Sequence, residues 1–233
     1  MRRLTFTFDN GPSPGTTETV LDFLEERSIK ATFFLVGAQL ADDDARHLAE
    51  LAHSQGHWIG NHTFSHSTPL GFDGSRERVE REIGETQRCL GDLAHRRKFF
   101  RPNGGGVAGP HLLSPEAVDY IQENRFTLVT WNSVPGDWKQ PHEDWFPRAV
   151  RDLERQDWTV LVLHDPYIAS MIDLLSHFHD ELVRRGIAVV QEFPPSCVPI
   201  EMGTVRGELS AIAGSPAAPA ADELRRPALR SRS

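Results

Sequence analysis

The sequence has few cysteines, few aromatic residues and no long apolar run. Only 2 of its 233 residues are cysteines, Cys89 and Cys197, which give neither a disulfide framework nor a close-spaced metal motif. The longest apolar runs, such as 159–163, have the length of a strand and fall short of the roughly 18 to 20 residues that span a bilayer. From Met1 the chain passes at once into a strand pattern, without the apolar region of a signal peptide. We therefore expect a cytoplasmic protein without a membrane partner.

The chain also lacks an excess of positive charge. It carries 25 Lys plus Arg against 33 Asp plus Glu, which gives a formal net charge of −8. A surface of this sign repels a phosphate backbone, which argues against nucleic acid as a partner. With 39% hydrophobic residues, the chain has enough apolar side chains for one globular domain with a full-sized core.

Short β-rich runs alternate with helical patterns along most of the chain. One helix is expected after Pro14, and a second begins at the acidic run 42–44 and stops at Gly56. The strand-like runs are 4–8, 32–36, 58–61, 98–101, 126–130, 159–164 and 187–190. This alternation predicts a parallel sheet covered by helices, as either a closed barrel or an open doubly wound sheet.

The composition changes near Pro194 and Pro195. From Gly207 to Ser233 there is no aromatic residue, and Ala, Pro, Ser and Arg dominate. The sequence therefore predicts one folded domain over 1–195 and a disordered tail over 196–233.

Polar residues of catalytic type follow five of the predicted strands. They are Asp9 and Asn10 after the first, 62–66 after the third, 101–106 after the fourth, Asp137 and Trp138 beyond the fifth, and His164 at the end of the sixth. Because the carboxyl ends of parallel strands meet at one edge of a sheet, these residues are expected to share one cleft.

Two histidines in this set have the spacing of metal ligands. His62 and His66 are four apart, which puts both imidazoles on one face of a helical turn. A third ligand from Asp9 or Asn10 would complete a site with an open position for water. The histidine pair alone is a weak signal, and Asp9 also fits an Asx-turn ahead of Gly11.

Two further side chains suit catalysis, although each also has a structural interpretation. His164 closes an apolar strand and would face the cleft, as a general acid must, or it is a satisfied core histidine. Arg101 could hold a carboxylate in the cleft, or it is an exposed cation at the end of a strand.

Glycines 104–106 lack the Lys-Ser pattern of a phosphate loop, so phosphate binding is discounted.

In their order along the chain, these clusters resemble the five motifs of the polysaccharide deacetylases, carbohydrate esterase family four. The resemblance extends from residue 4 to about 193 and is carried by 7–12, 62–66, 101–102, 137–138 and 163–165. It implies a distorted (β/α) barrel with seven or eight parallel strands. It also implies a hydrolase that uses a divalent metal, expected to be zinc, to remove an acyl group, usually acetyl, from an amino sugar or a related small amide.

The resemblance further implies a role for each matching residue. Proton transfer is assigned to Asp9 as general base, His164 as general acid, and Arg101 and Asp137 as their respective partners. The metal ligands are His62 and His66, with Asn10 at the position of the third ligand. The substrate-binding groups are the backbone N–H of Gly104, as an oxyanion donor, and the acyl-pocket walls Trp138 and Val162.

Asn10 departs from the family pattern, which has an ionised Asp at this position. An asparagine offers only a neutral carbonyl oxygen, so metal affinity is expected to fall. Three interpretations remain open: a deacetylase with a labile metal, an amidohydrolase that works without metal, and a protein that binds acylated sugars without turnover. The substrate is expected to be a small molecule or an oligosaccharide, and the sequence indicates no oligomeric state.

Overall fold

In the computed structural model, residues 1–214 are described. Their nine strands are β1 (Arg3–Asp9), β2 (Thr32–Leu35), β3 (Trp58–Asn61), β4 (Phe99–Phe100), β5 (Thr127–Leu128), β6 (Trp158–His164), β7 (Ala188–Val189), β8 (Ile200–Glu201) and β9 (Thr204–Val205). Their eight α-helices are α1 (Thr17–Glu26), α2 (Asp43–Ser54), α3 (Arg76–Val79), α4 (Thr86–Leu90), α5 (Pro115–Glu123), α6 (Trp145–Arg155), α7 (Asp165–Ile168) and α8 (Ile172–Arg184). None of the helices in 1–214 is both long and apolar enough to cross a bilayer.

The strands form one curled sheet in the order β6-β1-β2-β3-β4-β5-β8-β9, and β7 pairs with the start of β1. All pairings among β1 to β7 are parallel. A parallel bridge between Ser133 and Leu161 returns the chain that follows β5 to the side of β6, so the sheet curls towards closure. The predicted α/β class and distorted barrel of parallel strands are confirmed.

The first strand shows how the sequence separates the core from the site. Leu4, Phe6 and Phe8 are fully buried in a cluster that also holds the apolar faces of α1, α6 and α8. Because successive side chains of a strand point to opposite faces, the alternate residues Thr7 and Asp9 point into the barrel. The alternation of β1 therefore directs a carboxylate towards the interior at the strand's carboxyl end.

The second helix begins and ends where the sequence predicts. The side chain of Asp42 accepts a hydrogen bond from the backbone N–H of Ala45 at 3.0 Å and so caps the first turn. At the other end Gly56 has a φ of +85°, a left-handed conformation that glycine adopts without strain.

The described part of the predicted tail is folded. Residues 196–214 include β8, which pairs antiparallel with β5, and β9, which pairs with β8. Ile200 and Ile212 are buried in a second apolar cluster with residues of α5. The folded domain therefore continues past the boundary predicted at residue 195, because a short hairpin with few aromatic residues gives little sequence signal. The rest of the predicted tail, 215–233, lies outside the described residues.

Ile200→Ala tests whether this hairpin stabilises the domain. We expect the free energy of unfolding to fall by about 2 to 5 kcal/mol, because the substitution removes buried methyl groups and leaves a cavity. Val205→Ala on the neighbouring strand is the matched control, since its side chain is exposed. Urea unfolding of the three proteins measures the difference. Equal midpoints for all three would show that the hairpin is not part of the cooperative unit.

Candidate active site

One cavity of about 220 Å³ opens at the carboxyl ends of β1, β3 and β6. Eight of the ten predicted site residues line it: Asp9, Asn10, His62, His66, Gly104, Trp138, Val162 and His164. The other two, Arg101 and Asp137, are fully buried directly behind this wall. The structure thus brings all ten predicted residues to one place.

Asp9 and Arg101 form an ion pair inside the barrel. Nη1 of Arg101 donates to Oδ1 of Asp9 at 2.8 Å and lies 2.7 Å from Oγ1 of Thr7. Burial by itself raises the pKa of the Asp9 carboxyl, but the Arg101 guanidinium, His62 and His164 together bring that pKa below its usual value. Asp9 is therefore ionised at neutral pH, and its Oδ2 remains directed towards His62 at 3.6 Å. Asp9 therefore does not form the Asx-turn, and Arg101 is not the exposed cation, that the sequence also allowed. The two side chains form a buried ion pair instead.

Arg101 is held on several sides, which fixes the carboxylate that it binds. Its guanidinium lies 4.0 Å from the centre of the Phe34 ring, and Nη2 donates to the carbonyl of Thr130 at 3.4 Å. Its own backbone carbonyl lies 2.9 Å from Nδ1 of His62. One buried arginine therefore orients both Asp9 and His62.

His164 and Asp137 form the second pair. Oδ1 of Asp137 lies 2.8 Å from Nδ1 of His164, and its Oδ2 accepts from the backbone N–H of His164 at 2.8 Å. Burial alone would lower the pKa of His164, but the hydrogen bond and charge of Asp137 raise it above the usual histidine value. The Trp138 ring packs edge-on against the imidazole at 4.8 Å between ring centres. The arrangement leaves Nε2 of His164 as the proton-carrying atom available to the cavity.

The loop with His62 and His66 is not the predicted helical turn. Thr63 and His66 have φ values of +68° and +48°, which break any helix. Nevertheless, the two imidazole centres lie 5.0 Å apart on the same side of the loop. The pair therefore meets as predicted, but through a different backbone conformation.

Buried polar side chains hold this loop in place of helical hydrogen bonds. Oε2 of Glu82 accepts from the backbone N–H groups of Phe64 and Ser65 at 3.0 and 2.9 Å. Oδ1 of Asn61 accepts from the N–H of Thr63 at 3.0 Å. Glu82 lies in the wide π-helical turn between α3 and α4. Sequence reasoning missed Glu82, because an acidic residue in a helical pattern is indistinguishable from a solvent-exposed one.

The two histidines are in the protonation state that metal binding needs. Burial lowers the pKa of His62 to about 4 and also lowers that of His66, so both rings are neutral at pH 7. The Arg101 carbonyl accepts the Nδ1 proton of His62, which leaves Nε2 with its lone pair towards the cavity. A hydrogen bond of this kind is the usual support of a metal-binding histidine.

Asn10 stands beside them in a left-handed conformation with a φ of +72°. Its Oδ1 is buried, and no group in residues 1–214 donates a hydrogen bond to it. Such an orphaned oxygen in a cavity wall fits a metal ligand. Within the same residues, no group of three or more His, Cys, Asp or Glu side chains is arranged to hold a metal ion. The candidate ligand set is therefore two imidazoles and one amide oxygen.

Glycines 104–106 and Val162 complete the cavity wall with Trp138. A Cβ on Gly104 would lie 2.0 Å from a methyl group of Leu112, so any other residue there would force the buried Leu112 side chain to move. Gly106 has a φ of +83°, and a Cβ on it would meet Val134 and Trp138 at 3.0 and 3.1 Å. At these glycines the wall has no side chains, and the backbone itself faces the cavity.

The site region also contains Tyr167 and Asp165, for which the sequence predicts no role. Tyr167 lines the cavity next to His164. Asp165 is fully buried, and its Oδ2 accepts from Oγ1 of Thr17 at 2.6 Å. Burial raises the pKa of Asp165 to about 6. A Cβ on Gly11 would lie 2.4 Å from the same carboxyl oxygen, so Asp165 packs directly against the loop after β1.

Comparison with known proteins identifies the family of the chain. The sequence pattern of the polysaccharide deacetylase family matches residues 1–123. The chain is 32% identical over 174 residues to a chitooligosaccharide deacetylase of Azorhizobium caulinodans, an alignment covering 72% of this chain and 77% of the relative. It is 29% identical over 163 residues to a peptidoglycan-N-acetylglucosamine deacetylase of Bacillus cereus, covering 70% and 72% of the two chains.

A solved structure gives the same result for the fold. The family 4 acetyl xylan esterase of Clostridium thermocellum, determined with a cobalt ion, superposes with a TM-score of 0.66 and 26% identity. The superposition covers 82% of this chain and 88% of the esterase. Because the family pattern matches more than half of the chain and the Azorhizobium caulinodans deacetylase is 32% identical to it, the chain belongs to the polysaccharide deacetylase family.

Proposed function

We propose that this protein is a metal-dependent hydrolase that removes the acetyl group from an N-acetylated amino sugar. One observation carries the proposal: the Asp9–Arg101 pair and the His164–Asp137 pair face the same small cavity beside His62 and His66. Hydrolysis of an amide needs a base for the water and an acid for the departing amine, and the two pairs supply one of each. The sugar-specific part of the proposal is supported by the relatives, which are named as deacetylases of chitooligosaccharides and peptidoglycan.

Asp9 serves as the base. Arg101 keeps its carboxylate ionised, and Oδ2 is the oxygen that is not bonded to the guanidinium. This oxygen accepts a proton from the attacking water. The fixed position of the carboxylate means that little reorganisation is needed at the moment of reaction.

His164 serves as the acid. Asp137 holds the Nδ1 proton and raises the pKa of the ring, so at neutral pH a larger fraction of His164 carries a second proton on Nε2. That proton passes to the amine nitrogen as the carbon–nitrogen bond breaks. Without it, an amine would have to leave as a strongly basic anion.

The backbone of Gly104 and the apolar walls position the acyl group. Gly104 lines the cavity, and its N–H would donate to the oxygen of the tetrahedral intermediate. Val162 and Trp138 bound an apolar space for the methyl group of an acetyl. The small cavity volume suits a short acyl chain.

His62, His66 and Asn10 would hold a divalent cation, and we propose zinc. The neutral imidazoles, the supported Nδ1 of His62 and the orphaned Oδ1 of Asn10 fit such an ion. When bound, the ion polarises the amide carbonyl and acidifies water. Because Asn10 contributes no charge, we infer that the metal is held less tightly than with a carboxylate ligand.

We further propose that the protein works in the cytoplasm, with its two cysteines free, as they are here.

Removal of the metal tests the proposal against the two other interpretations. We expect the native protein to release acetate from chitooligosaccharides, and chelator treatment or His62→Ala to lower the rate by at least about 100-fold. Re-addition of zinc should restore the chelated protein but not the variant. Acetate release that survives the chelator would indicate metal-free hydrolysis. Sugar binding without any acetate release would refute the proposed hydrolase activity.

Asn10→Asp tests the third ligand. A carboxylate adds a negative charge to the ligand set, so the dissociation constant for zinc, measured by calorimetry, is expected to fall about tenfold or more. Asn103→Asp is the matched control, because Nδ2 of Asn103 donates to the Ser67 carbonyl outside the ligand set. If Asn10→Asp binds zinc no more tightly than the native protein, Asn10 is not a ligand.

Asp137→Asn tests the acid by its pH dependence. The pKa of His164 is raised, so its proton-donating form is lost, and activity falls, as the pH rises through that pKa. Removal of the carboxylate charge lowers this pKa, and the basic limb of the kcat profile is expected to move to lower pH. Asp144→Asn, which alters a half-buried salt bridge to Arg148, should leave the limb in place. If the basic limb is unchanged in Asp137→Asn, His164 is not the group that donates the proton.

A further inference from the structure

The chain leaves the sheet at neighbouring positions after β1 and after β6. Asp9 and His164 are paired in the parallel register of these two strands. The residues that follow them, Asn10 and Asp165, therefore continue from adjacent positions of the sheet. Asn10 begins the loop that leads to α1, and Asp165 is the first residue of α7. Asp165 is thus placed beside the loop after β1, although the proposed function assigns it no role.

The carboxyl group of Asp165 is buried with little compensation. Its Oδ2 accepts from the Thr17 hydroxyl at 2.6 Å, while its Oδ1 is buried and has no hydrogen-bond partner in residues 1–214. Burial of this kind disfavours the charged form and raises the pKa of Asp165 to about 6. Stability alone would favour an uncharged side chain at this position.

Thr17 connects Asp165 to the end of the loop after β1. Its Oγ1 donates to Asp165 and accepts from the backbone N–H of Ser13 at 2.8 Å. The carbonyl of Ser13 accepts from the N–H groups of Thr16 and Thr17 at 3.1 and 3.0 Å. The last turn of the loop is therefore bonded to the residue that follows His164.

Gly11 brings the beginning of the same loop against Asp165. A Cβ on Gly11 would lie 2.4 Å from Oδ2 and 3.5 Å from Oδ1 of Asp165, so the Gly11 backbone packs directly on the carboxyl group. The carbonyl of Gly11 also accepts from the N–H of Val36 at 3.1 Å. Gly11 is thereby held between Asp165 and the residue that follows β2.

The conformation of Asn10 depends on these contacts, because Asn10 directly precedes Gly11. Its φ of +72° is left-handed, and a residue other than glycine keeps such a conformation only where its surroundings enforce it. In this conformation Asn10 lines the cavity with its Oδ1 buried. A less constrained Gly11 would allow Asn10 to relax and to turn this oxygen away from the two histidines.

We propose that Asp165 is a positioning residue, which holds the loop after β1 so that Asn10 keeps its place beside the two histidines. It acts through Thr17 and Gly11, and it does not itself line the cavity. The effect requires its shape and its hydrogen bond rather than its charge. This inference rests on the proposed function, in which Asn10 is a zinc ligand.

Zinc calorimetry on variants of Asp165 tests the positioning role. We expect Asp165→Ala to raise the dissociation constant about tenfold, because the loop loses its support. Asp165→Asn fills the same volume and still accepts from Thr17, so its dissociation constant should stay within about twofold of the native value. Leu175→Ala opens a cavity in the apolar core on α8, does not alter the cavity lining, and controls for a general loss of stability. Its zinc affinity should equal that of the native protein.

Two results of this experiment would overturn the proposal. If Asp165→Ala binds zinc as tightly as the native protein, Asn10 keeps its position without Asp165. If Asp165→Asn loses as much affinity as Asp165→Ala, the charge of Asp165 is what matters, and that charge also acts on the neighbouring His164.

Gly11→Ala tests the contact from its other side. In the native protein the added methyl group collides with the Asp165 carboxyl, so zinc binding should weaken about tenfold. In the Asp165→Ala background the methyl group enters the space that the carboxyl has left, and it should cause no further loss. Equal losses in the two backgrounds would show that Gly11 and Asp165 act independently, which would contradict the proposal.

Hydrogen exchange separates this inference from the proposed function. The N–H of Val36, which donates to Gly11, should exchange about tenfold faster in Asp165→Ala than in Asp165→Asn. Faster exchange with weaker zinc binding, but no acetate release by the native protein, would support the positioning role and refute the proposed hydrolase. Acetate release by the native protein, with exchange and zinc affinity unchanged in Asp165→Ala, would support the hydrolase and refute the positioning role.

Discussion

The buried ion pair between Arg101 and Asp9 is the interaction on which the site depends. Two opposite charges in a barrel interior are tolerated only when they are paired and hydrogen-bonded, and here the neighbours are Thr7, the Thr130 carbonyl and the Phe34 ring. The pair connects β1 to the end of β4, and through the Arg101 carbonyl it reaches the loop after β3. Loss of either charge would leave the other buried without compensation. The same contact therefore supports the fold and positions Asp9, the proposed base.

In both pairs of the site a neighbouring opposite charge shifts a pKa, downwards for Asp9 and upwards for His164. A cation beside Asp9 favours the ionised carboxylate, while an anion beside His164 favours the protonated imidazole. Each group is thereby held in the form that its proposed role requires. Asn10 differs from them, because it is proposed as a metal ligand but carries no charge.

Much of this site could be predicted from the sequence, because parallel strands bring their carboxyl ends together. Asp9, His62 and His164 are far apart in the chain, yet each follows or ends a strand, so their meeting follows from the topology alone. The backbone of the loop with His62 and His66 could not be predicted from spacing, since it depends on Glu82 from a separate helix. The hairpin of β8 and β9 was missed for a related reason: each strand has two residues, and only its tertiary pairing reveals it.

The dependence of the histidine loop on Glu82 has a consequence for protein design. The segment from His62 to His66 is not helical, and the backbone N–H groups of Phe64 and Ser65 are satisfied by the Glu82 carboxylate, 17 or 18 positions further along the chain. A short peptide with these five residues would lose that support, and the imidazoles of His62 and His66 would no longer be held close together. A design that transfers His62 and His66 to another scaffold would therefore also need a carboxylate in the position of Glu82.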